Sequence, residues 1–230
     1  MDDSRELLVD PSADPLSVIG TSLPARPVDR DAPRNAPLAD EELFFKAWLQ
    51  EPVTIGAIMP TRAPLANAMA AVAVEAAGVV ANGSIVELGG GTGPVTRALL
   101  ARAPRPESVA IVERNPVFYR LLTRRFPQAR ILLGSAEELG AVLSPHNMGP
   151  VCAVVSSLPR VGWPIARQRR ILRQCFDLLG TQGTFLEFSY GPFSPVPQQL
   201  ICEFKFAAAR RRYVWRNFPP ATIWSYRLGG

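Results

Sequence analysis

Val86-Glu87-Leu88-Gly89-Gly90-Gly91-Thr92-Gly93-Pro94 is the stretch on which the fold of this 230-residue chain turns. An apolar run ends in an acid, passes through glycines and opens on a proline. Lacking Cβ atoms, the glycines let a ligand approach the backbone and let the turn take positive φ. Proline suits the first turn of a following helix, whose N-terminus presents unpaired N–H groups. The spacing separates nucleotide ligands. In the dinucleotide fingerprint G-x-G-x-x-G, Gly89 and Gly91 fit but the last position is Pro94, and the Gly-Lys-Ser/Thr of a phosphate-binding loop is missing.

Outward from this turn, short apolar runs without strict alternation recur at Ser84–Leu88, Val109–Glu113, Arg130–Leu133, Val151–Ser157 and Thr184–Tyr190. Such runs suit strands buried on both faces. Helical segments lie between them at Pro94–Arg102, Pro116–Phe126 and Pro164–Leu179, and a helix from a Thr61 cap to about Ala77 precedes them. Strand–helix alternation predicts an α/β fold, a Rossmann-like doubly wound and mostly parallel sheet. Tyr213–Phe218 and Thr222–Leu228, separated by Pro219-Pro220, read as a closing antiparallel hairpin. Glu113 ends the second strand, 24 residues after Gly89, where an acid accepts hydrogen bonds from ribose hydroxyls.

The charge is uneven. Residues 1–40 carry eight acids and four bases, rich in proline and aspartate without any period, and read as a flexible tail. The remaining 41–230 carries 21 bases against 12 acids and favours an anionic partner, a lipid surface or a nucleic acid. From Asp40, a helix places Phe44 and Trp48 on one face; it either packs on the core or lies in a lipid interface. Arg210-Arg211-Arg212 with Arg216, Tyr213 and Trp215 either meets lipid phosphates or solvates an edge strand. Together the two predict peripheral membrane binding. Cys152, Cys175 and Cys202 read as buried thiols. The one histidine, His146, reads as a solvated loop residue, so no metal site is expected. Leu65–Ala81, broken by Asn67 and Glu75, reads as a packed helix rather than a span, and no secretory signal is visible. The expectation is a cytoplasmic protein associated with the inner membrane face.

E-x-G-x-G-x-G at Glu87–Gly93 resembles motif I of class I S-adenosylmethionine methyltransferases. That ligand has no pyrophosphate and carries an ammonium, which the acid Glu87 suits. The resemblance extends, in order, through Phe45–Leu49, Thr54-Ile55-Gly56-Ala57-Ile58-Met59-Pro60-Thr61, Val86–Thr96, Val112–Pro116, Ser156-Ser157-Leu158-Pro159, Phe188–Pro192 and Asn217–Ala221. Together these segments look like bacterial phospholipid N-methyltransferases, relatives of the rRNA adenine dimethylases. The resemblance implies S-adenosylmethionine as cofactor, held by Glu87, Gly89, Gly91, Gly93, Glu113, Ser135, Ala136 and Ser156. It implies Tyr190 as catalytic residue on the substrate side, and Phe44, Trp48, Met59, Arg211 and Arg212 facing substrate or membrane. The implied reaction is methylation of the amine of phosphatidylethanolamine and its partly methylated derivatives, leading to phosphatidylcholine. Ser135 stands where the family usually has Asp. Ser-Ser-Leu-Pro, without the Asn/Asp and aromatic of amino-directed enzymes, argues against nucleic-acid bases as acceptors. An RNA-adenine or small-amine methyltransferase and a silent cofactor- or lipid-binding module remain the alternatives.

Overall fold

The computed structural model describes residues 61–78 and 82–229. The expected tail 1–40, the helix expected from Asp40 with Phe44 and Trp48, and Met59 lie outside the described residues. Seven strands are formed: β1 (Ser84–Leu88), β2 (Val109–Glu113), β3 (Arg130–Leu133), β4 (Val151–Ser156), β5 (Thr184–Ser189), β6 (Phe206–Val214) and β7 (Ala221–Leu228). They join in one sheet of order β3-β2-β1-β4-β5-β7-β6. β1 to β5 pair in parallel, and β7 runs antiparallel between β5 and β6. Every residue of β1, β2 and β4 is buried, which is why these runs show no alternation: helices cover both faces.

The helices are α1 (Ala63–Ala77), α2 (Pro94–Arg102), α3 (Pro116–Arg125), α4 (Leu139–Leu143), α5 (Ile165–Leu179) and α6 (Gln198–Phe204). α1 buries Leu65, Met69 and Val72 among small alanines, so it packs close to α2, and Arg102 Nη1 donates to Asn67 Oδ1 at 3.0 Å across that seam. Arg62, not Thr61, occupies the position before α1, and its side chain makes no capping bond. Pro64 in the first turn starts the helix by its fixed φ instead. On the other face α5 buries Ile171, Leu172, Cys175, Phe176 and Leu179 at helical spacing. Phe176 stacks on Phe206 of β6 at 4.3 Å between ring centroids. Each such side chain contributes about 1.5–3 kcal/mol by leaving water.

Two further expectations are corrected, and one helix is added. β6 starts at Phe206 and ends at Val214, so Trp215–Phe218 belongs to the turn and not to a strand. Its seven central residues are all exposed, as an edge strand allows, and no burial pattern marked it in the sequence. α6 was not foreseen, being short and set among prolines. Cys202 is exposed, while Cys152 and Cys175 are buried. No helix among the described residues is long and apolar enough to cross a membrane.

Candidate active site

Strand order reverses between β1 and β4, the place where open α/β sheets hold ligands beyond the carboxyl ends of their strands. A cavity of about 290 Å³ lies there, walled by the turns after β1, β2, β3 and β4. Glu87, near the end of β1, is wholly buried and lines it. Its Oε2 accepts the Thr96 hydroxyl at 2.7 Å, while Oε1 is buried without a partner. Burial pushes this carboxyl up to about 7; the Thr96 bond pulls it down and the neighbouring Glu113 charge adds to the rise. A buried acid with one oxygen unmet can take a further donor, and a cationic one beside it would favour its ionised form.

Glu113 ends β2 and shapes the glycine turn. Its Oε2 accepts the Gly91 N–H at 3.0 Å and its Oε1 the Asn115 N–H at 2.8 Å. Each oxygen keeps a further lone pair for a ligand hydroxyl. Asn115 in turn caps α3, its Oδ1 accepting the Val117 N–H at 2.8 Å. Gly89 has φ +75°, and a Cβ there would lie 2.8 Å from Leu158 Cδ2. The positive φ is what favours glycine here, a Cβ would displace the Leu158 side chain, and the Ser157 N–H to Leu88 C=O bond at 2.9 Å ties the β1 and β4 turns together. Ser135 and Ala136, after β3, form the third wall. The Ser135 Oγ accepts the Glu137 N–H at 3.2 Å, leaving one acceptor site for an incoming amino group.

Of the expected residues, Glu87, Gly89, Gly91, Glu113, Ser135 and Ala136 come together around the cavity. Gly93, Ser156 and Tyr190 do not line it. Gly93, at φ +84°, sits behind the turn, where a Cβ would meet Phe126 Cε2 at 2.6 Å, so it serves helix packing. Side chains alternate along β4: Ser156 turns inward, its Oγ 3.5 Å from Glu187 Oε1, and Ser157 lines the cavity. Tyr190 packs edge-on against Phe188 at 5.4 Å, and Phe188 is the aromatic that reaches the cavity. Burial raises the Tyr190 phenol, with the nearby Arg62 guanidinium opposing. Arg211 and Arg212 are exposed on β6, and Arg211 pairs with Glu75 at 3.1 Å.

Sequence reasoning missed two features. Arg167 lies 3.8 Å over the Trp163 ring and pairs with Glu137 at 2.8 Å; this ties the start of α5 to the β3 turn, and all three residues line the cavity. Arg160, 2 % exposed, forms a buried bidentate ion pair with Glu187, 3 % exposed. Their separation of 27 residues left no local signal. The pair anchors the Ser-Ser-Leu-Pro turn to β5.

The sheet order, glycine turn and paired carboxylates define a class I S-adenosylmethionine-dependent methyltransferase. Solved structures share the fold: a TehB-like S-adenosylmethionine-dependent methyltransferase from Corynebacterium glutamicum (TM-score 0.52, 13% identity, 83% of this chain and 99% of that one), and magnesium protoporphyrin IX methyltransferase from Synechocystis PCC 6803 with bound S-adenosylmethionine (TM-score 0.52, 10% identity, 85% and 100%). No protein-family model matches the chain. The ornithine lipid N-methyltransferase of Singulisphaera acidiphila is 33% identical over 140 residues, 60% of this chain and 71% of that protein. The chain belongs to the family of that lipid N-methyltransferase.

Proposed function

We propose that this protein methylates the amine of phosphatidylethanolamine and its partly methylated derivatives at an anionic membrane surface, leading to phosphatidylcholine. The observation that carries the reading is the 33% identity to an enzyme whose name gives an amine-bearing lipid as substrate. The cavity residues fit the cofactor. The unmet Oε1 of Glu87 suits its ammonium, Glu113 its ribose hydroxyls, the glycine backbone its close approach, and Ser135 with Ala136 its adenine. When bound, S-adenosylmethionine supplies a sulfonium methyl group. The chain's own part is alignment, since holding nitrogen in line with the methyl group supplies much of the acceleration. The acceptor ammonium must first lose a proton to expose its lone pair. Tyr190 packs edge-on against Phe188, which lines the cavity; its part on the acceptor side, accepting a hydrogen bond from the amine or facing the growing cation, is carried over from the family resemblance. Phe44, Trp48 and Met59 belong to the proposed membrane side on sequence grounds alone.

Incubating the full chain with methyl-labelled S-adenosylmethionine and, separately, phosphatidylethanolamine vesicles, ornithine-lipid vesicles and RNA tests this. Label is expected in phosphatidylethanolamine. Label confined to ornithine lipid overturns the headgroup, and label in RNA or in none of them overturns lipid methylation.

A further inference from the structure

The carboxyl edge of the sheet carries more than the cavity. Ser189 pairs with Thr222 and Val214 with Ala221, so the turn between β6 and β7 lies on the same edge as the loops after β4 and β5. Each of these connections turns large apolar side chains outward. Val161 after β4 and Phe193 after β5 are each 82% exposed, and Trp215 and Phe218 in the hairpin turn are 67% and 70% exposed. Their backbones are held from within. The Ser189 hydroxyl donates to the Phe193 carbonyl at 2.7 Å. Asn217, buried at 2%, donates from Nδ2 to the Pro219 carbonyl at 2.7 Å. The exposed rings therefore cap well-tied turns, and their display costs apolar contact with water that the fold does not require.

The charge around them has one sign. Arg212 and Arg216 lie at this edge, while Lys205 and Arg227 lie at the opposite one; residues 204–230 contain no acid, and the loop 190–197 carries no charge. Arg216 lies 4.9 Å from the Trp215 ring centroid and Arg62 lies 6.0 Å from that of Phe218. The patch also borders the cavity: Thr61, adjacent to Arg62, lines it, as does Phe188, which also shares a small neighbouring pocket with Val161. Aromatic rings at the tip, arginines beside them and no acid are what the headgroup boundary of an anionic bilayer accepts.

We propose that Val161, Phe193, Trp215 and Phe218 form a membrane-entering rim, flanked by Arg62, Arg212 and Arg216, which sets the cavity mouth against the lipid headgroups. This rests on the lipid reading above and adds to it an orientation: the carboxyl edge faces the bilayer. A substrate amine then reaches the cavity without its acyl chains leaving the membrane.

The full chain is mixed with phosphatidylcholine vesicles with and without phosphatidylglycerol and sedimented. The wild type is expected with the anionic vesicles. Phe193→Ser/Trp215→Ser/Phe218→Ser should lose about tenfold or more in partitioning, and Arg212→Gln/Arg216→Gln about fivefold for each arginine removed. Both should keep cofactor affinity by calorimetry and turnover of a short-chain, water-soluble lipid. Should the triple variant fold poorly, Trp215→Glu alone gives the same reading. Acyl-brominated lipid should quench wild-type fluorescence more than that of Trp215→Phe. Unchanged partitioning, or quenching indifferent to Trp215, overturns the rim. Lipid turnover without vesicle binding overturns the rim and leaves the proposed function standing; vesicle binding through these residues without lipid turnover does the reverse.

Discussion

Replacing Glu87 by Gln should make the fold less sensitive to alkaline pH. The acid is wholly buried, one oxygen bonded to Thr96 and the other unmet. A carboxyl raised from 4.5 to about 7 stands about 3 kcal/mol worse off ionised in the folded chain than in the unfolded one. Because the folded value is the higher, the folded state holds the extra proton between the two. The favourable contribution is complete below pH 4.5 and is lost as pH rises through about 7. Gln carries no such titration, and whatever its amide costs in the same place does not change with pH. The stability of Glu87→Gln relative to wild type should therefore climb by about 3 kcal/mol between pH 4 and pH 8, less any relief from local rearrangement. Urea unfolding of both proteins across this range, without cofactor, measures it. A difference flat with pH would refute the buried, partly unmet carboxyl. Saturating S-adenosylmethionine should shrink the difference at pH 8, since the ionised acid then meets an ammonium.

Glu113→Ala should weaken cofactor binding at least tenfold, by removing a ribose acceptor of about 1.5–3 kcal/mol and by freeing the Gly91 and Asn115 N–H groups; calorimetry showing wild-type affinity would refute the ribose assignment. Gly89→Ala forces a left-handed backbone on an L-residue and a Cβ 2.8 Å from Leu158 Cδ2, so it should cost about 1–2 kcal/mol or more in thermal unfolding and most of the cofactor affinity. Arg160→Met strands the Glu187 charge in the core and should cost about 3–5 kcal/mol in denaturant unfolding, while Arg160→Met/Glu187→Leu should recover much of the loss; a double variant no better than the single one would show that the ion pair itself stabilises the β4 turn.

The central sheet was readable because β1, β2 and β3 are bounded in the chain by the same residues that bound them in space, Ser84 to Leu88, Val109 to Glu113 and Arg130 to Leu133. In β1 and β2 burial on both faces writes a largely apolar run, and β3, though an edge strand, keeps the apolar run Ile131-Leu132-Leu133 closed by Gly134. The other edge of the sheet, β6, writes no such record. β6 exposes both faces, so its alanines and arginines follow no period, and its limits come from pairing with β7. Around the cavity, Glu87, Gly89, Gly91 and Glu113 were legible because each sits at a strand end within one βαβ unit, where residue type and position speak together. Trp163, Arg167 and the Arg160–Glu187 pair were not, since their meaning arises only when α5 and β5 are folded against distant turns. Ser156 and Tyr190 show the resolution of such reading: it finds the strand end, while the side chains that line the cavity are Ser157 and Phe188, one and two residues away.

Glu113 holds Gly91 and Asn115 through separate oxygens before any ligand contact is counted. A nucleoside bound as proposed would thus meet a surface that is preorganised, its ordering entropy already absorbed in making the domain. Under the proposed reading, ligand recognition and loop rigidity are vested in a single carboxylate, so evolution cannot relax the one without loosening the other.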